Sequence, residues 1–210
     1  MRKVFAKYRN LPEAVKASLW FTICSILQKG ISFITVPIFT RMLSTEEYGI
    51  ISLFGAWQSI LTIFATLNLS NQIFNNGMVK YEKDQDGYTT AMLGLSNFAT
   101  VLVFVLYLVF HTALDKIFEL PMSAIIMMFI GFFFSAATSL WTVHQRYKFK
   151  YKLLCLVTLI ISLGSALLGV LFVRLESVGL ARIWGDTITI TTVGLLIYVL
   201  IVKKTISYSI

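Results

Sequence analysis

The residue best placed to do chemistry in this sequence is a lysine in the middle of an apolar run. Lys29 lies twelve residues from Ala17 and twelve from Arg41, and no other charged residue falls between them. A charged side chain at hydrocarbon depth costs about 3 kcal/mol on insertion scales, so such residues mark functional positions by default. Ser18, Thr22, Ser25, Lys29 and Ser32 recur at intervals of four and three, which puts them on one face of a helix. Leu19, Ile23, Ile34 and Ile38 lie on the other face. A hydroxyl stripe with a cation at its centre suits the wall of a water-filled cavity. The competing readings are a buried ion pair and a lysine carried towards an interface by helix tilt. The ten acidic residues give the pair little support, because all lie outside the apolar runs or near their ends.

The deepest acid is Asp186, and Arg182 stands four residues before it, where the two can pair along one helix. Thr189 and Thr192 extend that face. The pair reads either as part of a hydrophilic lining with a gating role or as an ion pair at an interfacial helix start. Gln58, Thr62 and Thr66, followed by Asn68, Ser70, Asn71, Gln72, Asn75 and Asn76, form a second polar series. Amides of this kind meet sugar hydroxyls or tie helices together. Asn97 reads as a structural residue, and Glu46–Glu47 as a solvated turn. Pro37 should bend the helix beyond Lys29, while Gly131, Gly164, Gly169 and Gly185 permit close helix contact.

No catalytic constellation stands out. His111 and His144 fall at opposite membrane faces, no nucleotide-binding glycine loop is present, and an enzyme is not expected. Cys24 and Cys155 each sit in an apolar run, which rules out a disulfide framework and a cysteine-based zinc site. Neither a metal nor an organic cofactor is expected.

These residues need elements that hold them at depth. Of 210 residues, 57% are hydrophobic and 13% charged, about half the charge of a soluble domain. Six apolar stretches reach the roughly 20 residues of a membrane-crossing helix. They are approximately Ala17–Thr40, Ile50–Leu69, Ala91–Phe110, Met122–Val143, Leu153–Val173 and Gly179–Val202. Barrel strands would be shorter and strictly alternating. The first run is too long for a signal-peptide core and lacks a small-residue cleavage site, so it reads as an uncleaved span. The expectation is an all-α, polytopic bundle of six transmembrane helices.

The net charge of +8 sits between and beside the runs. The N-terminal arm carries Arg2, Lys3, Lys7, Arg9 and Lys16, and the second connection Lys80 and Lys83. The fourth connection carries Arg146, Lys148, Lys150 and Lys152, and the tail Lys203 and Lys204. The alternate segments hold just Arg41, Lys116, Arg174 and Arg182. The bias puts both termini in the cytoplasm. The cation- and aromatic-rich connection from His144 to Lys152 fits anionic headgroups rather than nucleic acid.

The segment from Lys29 to Gly49 resembles the start of the bacterial polysaccharide flippases, the O-antigen (lipopolysaccharide) and capsule repeat-unit translocases of the multidrug/oligosaccharidyl-lipid/polysaccharide exporter superfamily. The residues that carry the likeness are Pro37, Thr40, Arg41, Leu43, Ser44, Glu47, Tyr48 and Gly49. The resemblance implies an inner-membrane protein with two six-helix lobes around a central cavity. This chain corresponds to the N-terminal lobe. Residues 1–16 are then a basic arm, 17–202 the lobe, and 203–210 a tail before a second lobe in the same chain or a second copy.

The implied substrate is a polyprenyl-pyrophosphate-linked oligosaccharide, flipped across the membrane by alternating access. Lys29 would neutralise the diphosphate, while Thr22, Ser25, Ser32, Gln58, Asn71 and Gln72 would meet sugar. Membrane lipids are the other expected partners, and a coupling cation or the membrane potential the expected drive. Alternative functions are a drug or cation exporter of the same superfamily, and a membrane assembly subunit that transports nothing.

Overall fold

The computed structural model describes residues 12–208, so Arg2, Lys3, Lys7 and Arg9 of the basic arm lie outside the described residues. These form α1 (Glu13–Met42), α2 (Thr45–Ala65), α3 (Gln72–Lys80), α4 (Gln85–Phe118), α5 (Met122–Tyr147), α6 (Tyr151–Leu175) and α7 (Gly179–Tyr208). A 3-10 turn occupies Glu82–Asp84, and no strand occurs among the described residues. All of these helices except α3 are long and apolar enough to cross a membrane. The chain is an all-α membrane protein.

Helix ends depart from the apolar runs where local chemistry overrides hydropathy. α2 stops at Ala65 because Leu67 and Asn68 adopt left-handed backbone, with φ of 51° and 50°, which ends a right-handed helix. The polar residues after it form α3, an element that hydropathy alone does not mark. α4 starts at Gln85, where the Asp84 side chain accepts a hydrogen bond from the Gly87 N–H at 2.9 Å. It then runs past Phe110, which leaves helical geometry at φ −105° and ψ 16°, to Phe118. α1 continues through Pro37 without interruption.

The α1–α2 turn is built rather than merely solvated. Ser44 caps α2 by accepting from the Glu47 N–H at 3.2 Å, satisfying one of the helix's orphan donors. The Glu47 carboxylate accepts from the Gly179 N–H, and a carboxylate at a helix N-terminus is favoured by the helix dipole. Part of the segment that carried the family likeness therefore joins the first residues of α2 to the first residue of α7. Glu47 is half-buried, in contrast to the expectation of a solvated turn.

The outer face is lipid-like. Phe33, Leu167 and Phe98 are 81%, 69% and 67% exposed, which a water-soluble surface rarely tolerates in such number. The interior holds Phe54, Phe118, Phe129 and Phe132 in one cluster and Phe74, Leu140, Leu154 and Ile197 in another. α7 packs against α2, α4, α5 and α6, whereas α1 packs chiefly on α6. Cys24 and Cys155 are both buried and free; the Cys155 thiol donates to the Trp20 carbonyl at 3.6 Å, across the α1–α6 contact.

Glycines set the depth of these contacts. A Cβ on Gly185 would lie 2.6 Å from the Gly169 nitrogen, and one on Gly194 would lie 2.6 Å from the Phe134 carbonyl oxygen. Gly164 faces Thr189. Gly131 meets no neighbour within 4 Å and borders a cavity instead. Gly185→Val should therefore destabilise the fold by roughly 1–3 kcal/mol through overpacking. Gly94→Ala, which enters open space, should be neutral or stabilising by up to about 1 kcal/mol. Thermal unfolding in detergent checks both, and equal midpoints for the two variants would contradict the close α6–α7 approach.

Candidate functional site

α1, α2, α5, α6 and α7 line a half-open cavity of about 390 Å³. It lies in the half of the bundle that contains the α1–α2 and α6–α7 turns. α1 contributes Ser32 and Thr35, α2 contributes Gln58, and α6 contributes Ser162 and Ser165. Arg182, Asp186 and Thr187 of α7 complete the polar wall. Gly55 and Gly131 also line it, and a Cβ at either would meet nothing within 4 Å.

The charged pair sits on this wall. Arg182 Nε is 3.5 Å from Asp186 Oδ2, one helical turn away. The guanidinium lies 3.9 Å above the ring of Phe39, a cation–π placement strengthened by exclusion of water. Gly169 leaves room for this stack, since a Cβ there would lie 3.2 Å from Phe39 and 3.8 Å from Arg182 Cδ. Arg182 Nε and Asp186 Oδ1 are buried without a hydrogen-bond partner among the described residues. Ser165 stands beside the carboxylate. Arg182 Nε and Asp186 Oδ1 are both closed off from solvent in this arrangement, so water or a polar solute reaches them only when the wall shifts.

Ser32, Gln58, Arg182 and Asp186 of the sequence-derived candidates thus come together. Thr35, Ser162, Ser165 and Thr187 join them without having been singled out. Their signal was spacing: Thr35 lies three residues beyond Ser32, and Ser162 and Ser165 are three apart on the fifth apolar run.

The other candidates stand elsewhere. Lys29 is exposed on α1, and no carboxylate among the described residues lies within ion-pair distance of it. Thr22 and Ser25 are also exposed. Their hydroxyls donate to the carbonyls of Ser18 at 3.0 Å and Phe21 at 2.9 Å. Ser32 likewise donates to the Gln28 carbonyl at 3.2 Å. The stripe thus uses its protons on its own helix and offers acceptor lone pairs outward.

Gln28, beside the stripe, donates to the Thr158 carbonyl at 3.3 Å and pins α1 to α6. Asn71 and Gln72 are exposed where α3 begins. The Asn71 amide donates to Asn68 Oδ1 at 2.8 Å. Thr62 and Thr66 line a separate polar pocket of about 100 Å³. Asn97 is buried, with neither amide atom hydrogen-bonded among the described residues.

A family model described as a polysaccharide biosynthesis protein matches residues 14–208. The chain belongs to this family, whose members are membrane transporters. No curated protein matches the chain, and no solved structure does.

The Arg182–Asp186 pair should behave as a coupled unit. Arg182→Ala leaves the Asp186 carboxylate without its cation, so it should destabilise the protein more than the double Arg182→Ala/Asp186→Ala change. A double-mutant cycle read by thermal unfolding should return a coupling of about 0.5–3 kcal/mol. Purely additive losses would show that the two charges do not sense each other.

Proposed function

We propose that this member of the family flips polyprenyl-pyrophosphate-linked oligosaccharide repeat units across the bacterial inner membrane for surface polysaccharide synthesis. The observation that carries this reading is a polar, charge-bearing, half-open cavity lined by five membrane-length helices in a polysaccharide biosynthesis chain. A diphosphate and a run of hydroxyls cannot cross hydrocarbon unaided, because each unsatisfied polar group costs several kcal/mol there. A transporter for such a molecule needs hydroxyl, amide and cationic groups at membrane depth.

Lys29 takes the diphosphate in this reading. Its exposure on the six-helix unit is what a cation facing a second lobe requires, with that lobe supplied by the same chain or another copy. Thr22, Ser25 and Ser32 then offer acceptors to sugar hydroxyls along the same helix. The lipid tail stays in the bilayer, and the two lobes rock to alternate access.

Asp186 supports a second reading of the inner cavity. A carboxylate oxygen without a hydrogen bond among the described residues, beside Ser165 and Thr187, suits a coupling cation. The Arg182 guanidinium competes for that carboxylate and gives the pair its gating role. Orientation completes the proposal: the lysine-rich ends of α5, α6 and α7 face the cytoplasm.

In cells that depend on this protein, Lys29→Ala should abolish surface glycan and Lys29→Arg should retain it. Unchanged glycan from a stably expressed Lys29→Ala protein would remove Lys29 from the site. Radiolabelled lipid-linked sugar entering vesicles separates flipping from an assembly role. In a Cys24→Ala/Cys155→Ala background, an impermeant maleimide should label Glu46→Cys in intact spheroplasts. Lys150→Cys should react only after the membrane is opened. The reverse pattern would invert the topology.

A further inference from the structure

A second cavity, of about 500 Å³, opens at the other end of the bundle. Four helix ends converge there: the start of α4, the end of α5, the start of α6 and the end of α7. Asp86, His144, Lys150, Lys203 and Lys204 supply its charge and polarity. Lys204 Nζ lies 3.0 Å from Asp86 Oδ2, while no carboxylate among the described residues pairs with Lys150 or Lys203. Three lysines therefore face one aspartate.

Lys148 stands close by. Burial holds its ammonium below the usual lysine range; Asp86 opposes that shift, and the nearby cations Lys204 and Lys150 add to it. The His144 side chain is 6% exposed. Its Nδ1 lies 3.3 Å from the Thr89 hydroxyl, and its Nε2 has no hydrogen-bond partner among the described residues.

The remaining wall is apolar. Trp141, Leu153 and Leu200 line it, and Leu153 and Leu200 are 52% and 59% exposed. A free inorganic anion gains nothing from such a wall. A phosphate joined to an acyl chain satisfies both halves, with its charge on the lysines and its chain along the leucines.

We infer that this cavity binds an anionic phospholipid, its headgroup phosphate held by Lys150, Lys203 and Lys204 and its acyl chain lying against Leu153 and Leu200. Asp86 is the built-in competitor: it occupies Lys204 when the lipid is absent. The site is separate from the Arg182–Asp186 cavity and does not depend on what that cavity carries.

The test is native mass spectrometry of the purified full chain, titrated in detergent with phosphatidylglycerol or phosphatidylcholine. Wild-type protein should retain phosphatidylglycerol at least tenfold better. Lys150→Gln/Lys203→Gln leaves the Asp86–Lys204 pair intact and should weaken that preference by about fivefold per lysine. Asp86→Asn releases Lys204 and should strengthen phosphatidylglycerol retention by about fivefold, a gain that loss of fold cannot imitate. Millimolar inorganic phosphate should leave retention unchanged. Equal retention of the two lipids, or an unaltered preference in either variant, overturns the proposal. Displacement by inorganic phosphate would reassign the site to a free anion.

Discussion

The contact between α6 and α7 at Gly169 and Gly185 is the constraint on which the cavity depends. In hydrocarbon there is no hydrophobic force to press helices together, so association relies on how closely backbones can approach. At this crossing a single added Cβ would already overlap the neighbouring backbone. The same glycine on α6 clears the space in which Arg182 lies over Phe39. Packing and charge placement are thus one event. Were the two helices held further apart, the guanidinium would lose its ring, and the cavity wall would lose its fixed ion pair.

Around that crossing the structure separates two kinds of polar group. The Thr22 and Ser25 hydroxyls on α1 bond back to their own helix, so they tolerate apolar surroundings at modest cost and need no other partner. Arg182 and Asp186 cannot satisfy themselves in this way, because an ion pair leaves donors and acceptors over. Their unpartnered atoms are buried in the wall of the cavity that five helices line.

Much of the architecture was legible in the sequence, because lipid imposes a coarse rule that hydropathy reads directly. Six apolar runs became six membrane-length helices. Their ends were less legible. α3 and the extension of α4 to Phe118 depend on capping and on left-handed turns at Leu67 and Asn68, which hydropathy does not register. The site was half legible. Helical periodicity found the α1 stripe, yet it could not tell which edge of that stripe meets α6. Ser32 turned towards the inner cavity and Lys29 did not, although they are three residues apart. Glu47 was misjudged for a related reason: its partner, the Gly179 N–H, is distant in sequence.

The two cavities differ in how their charges are balanced, and this difference bears on mechanism. In one cavity the cation Arg182 and the anion Asp186 share one helix, so their separation changes little when neighbouring helices move. In the other, Asp86 on α4 meets Lys204 on α7, and His144 on α5 lies 3.9 Å from the same carboxylate. That second cluster spans three helices and must break or re-form if they slide. An intrahelical pair suits a site that has to keep its shape while accepting a solute. An interhelical cluster suits a contact whose strength varies with the arrangement of the bundle. Rocking of a six-helix unit would therefore be felt first at the lysine-rich end, and lipid bound there would bias the motion without touching the inner cavity.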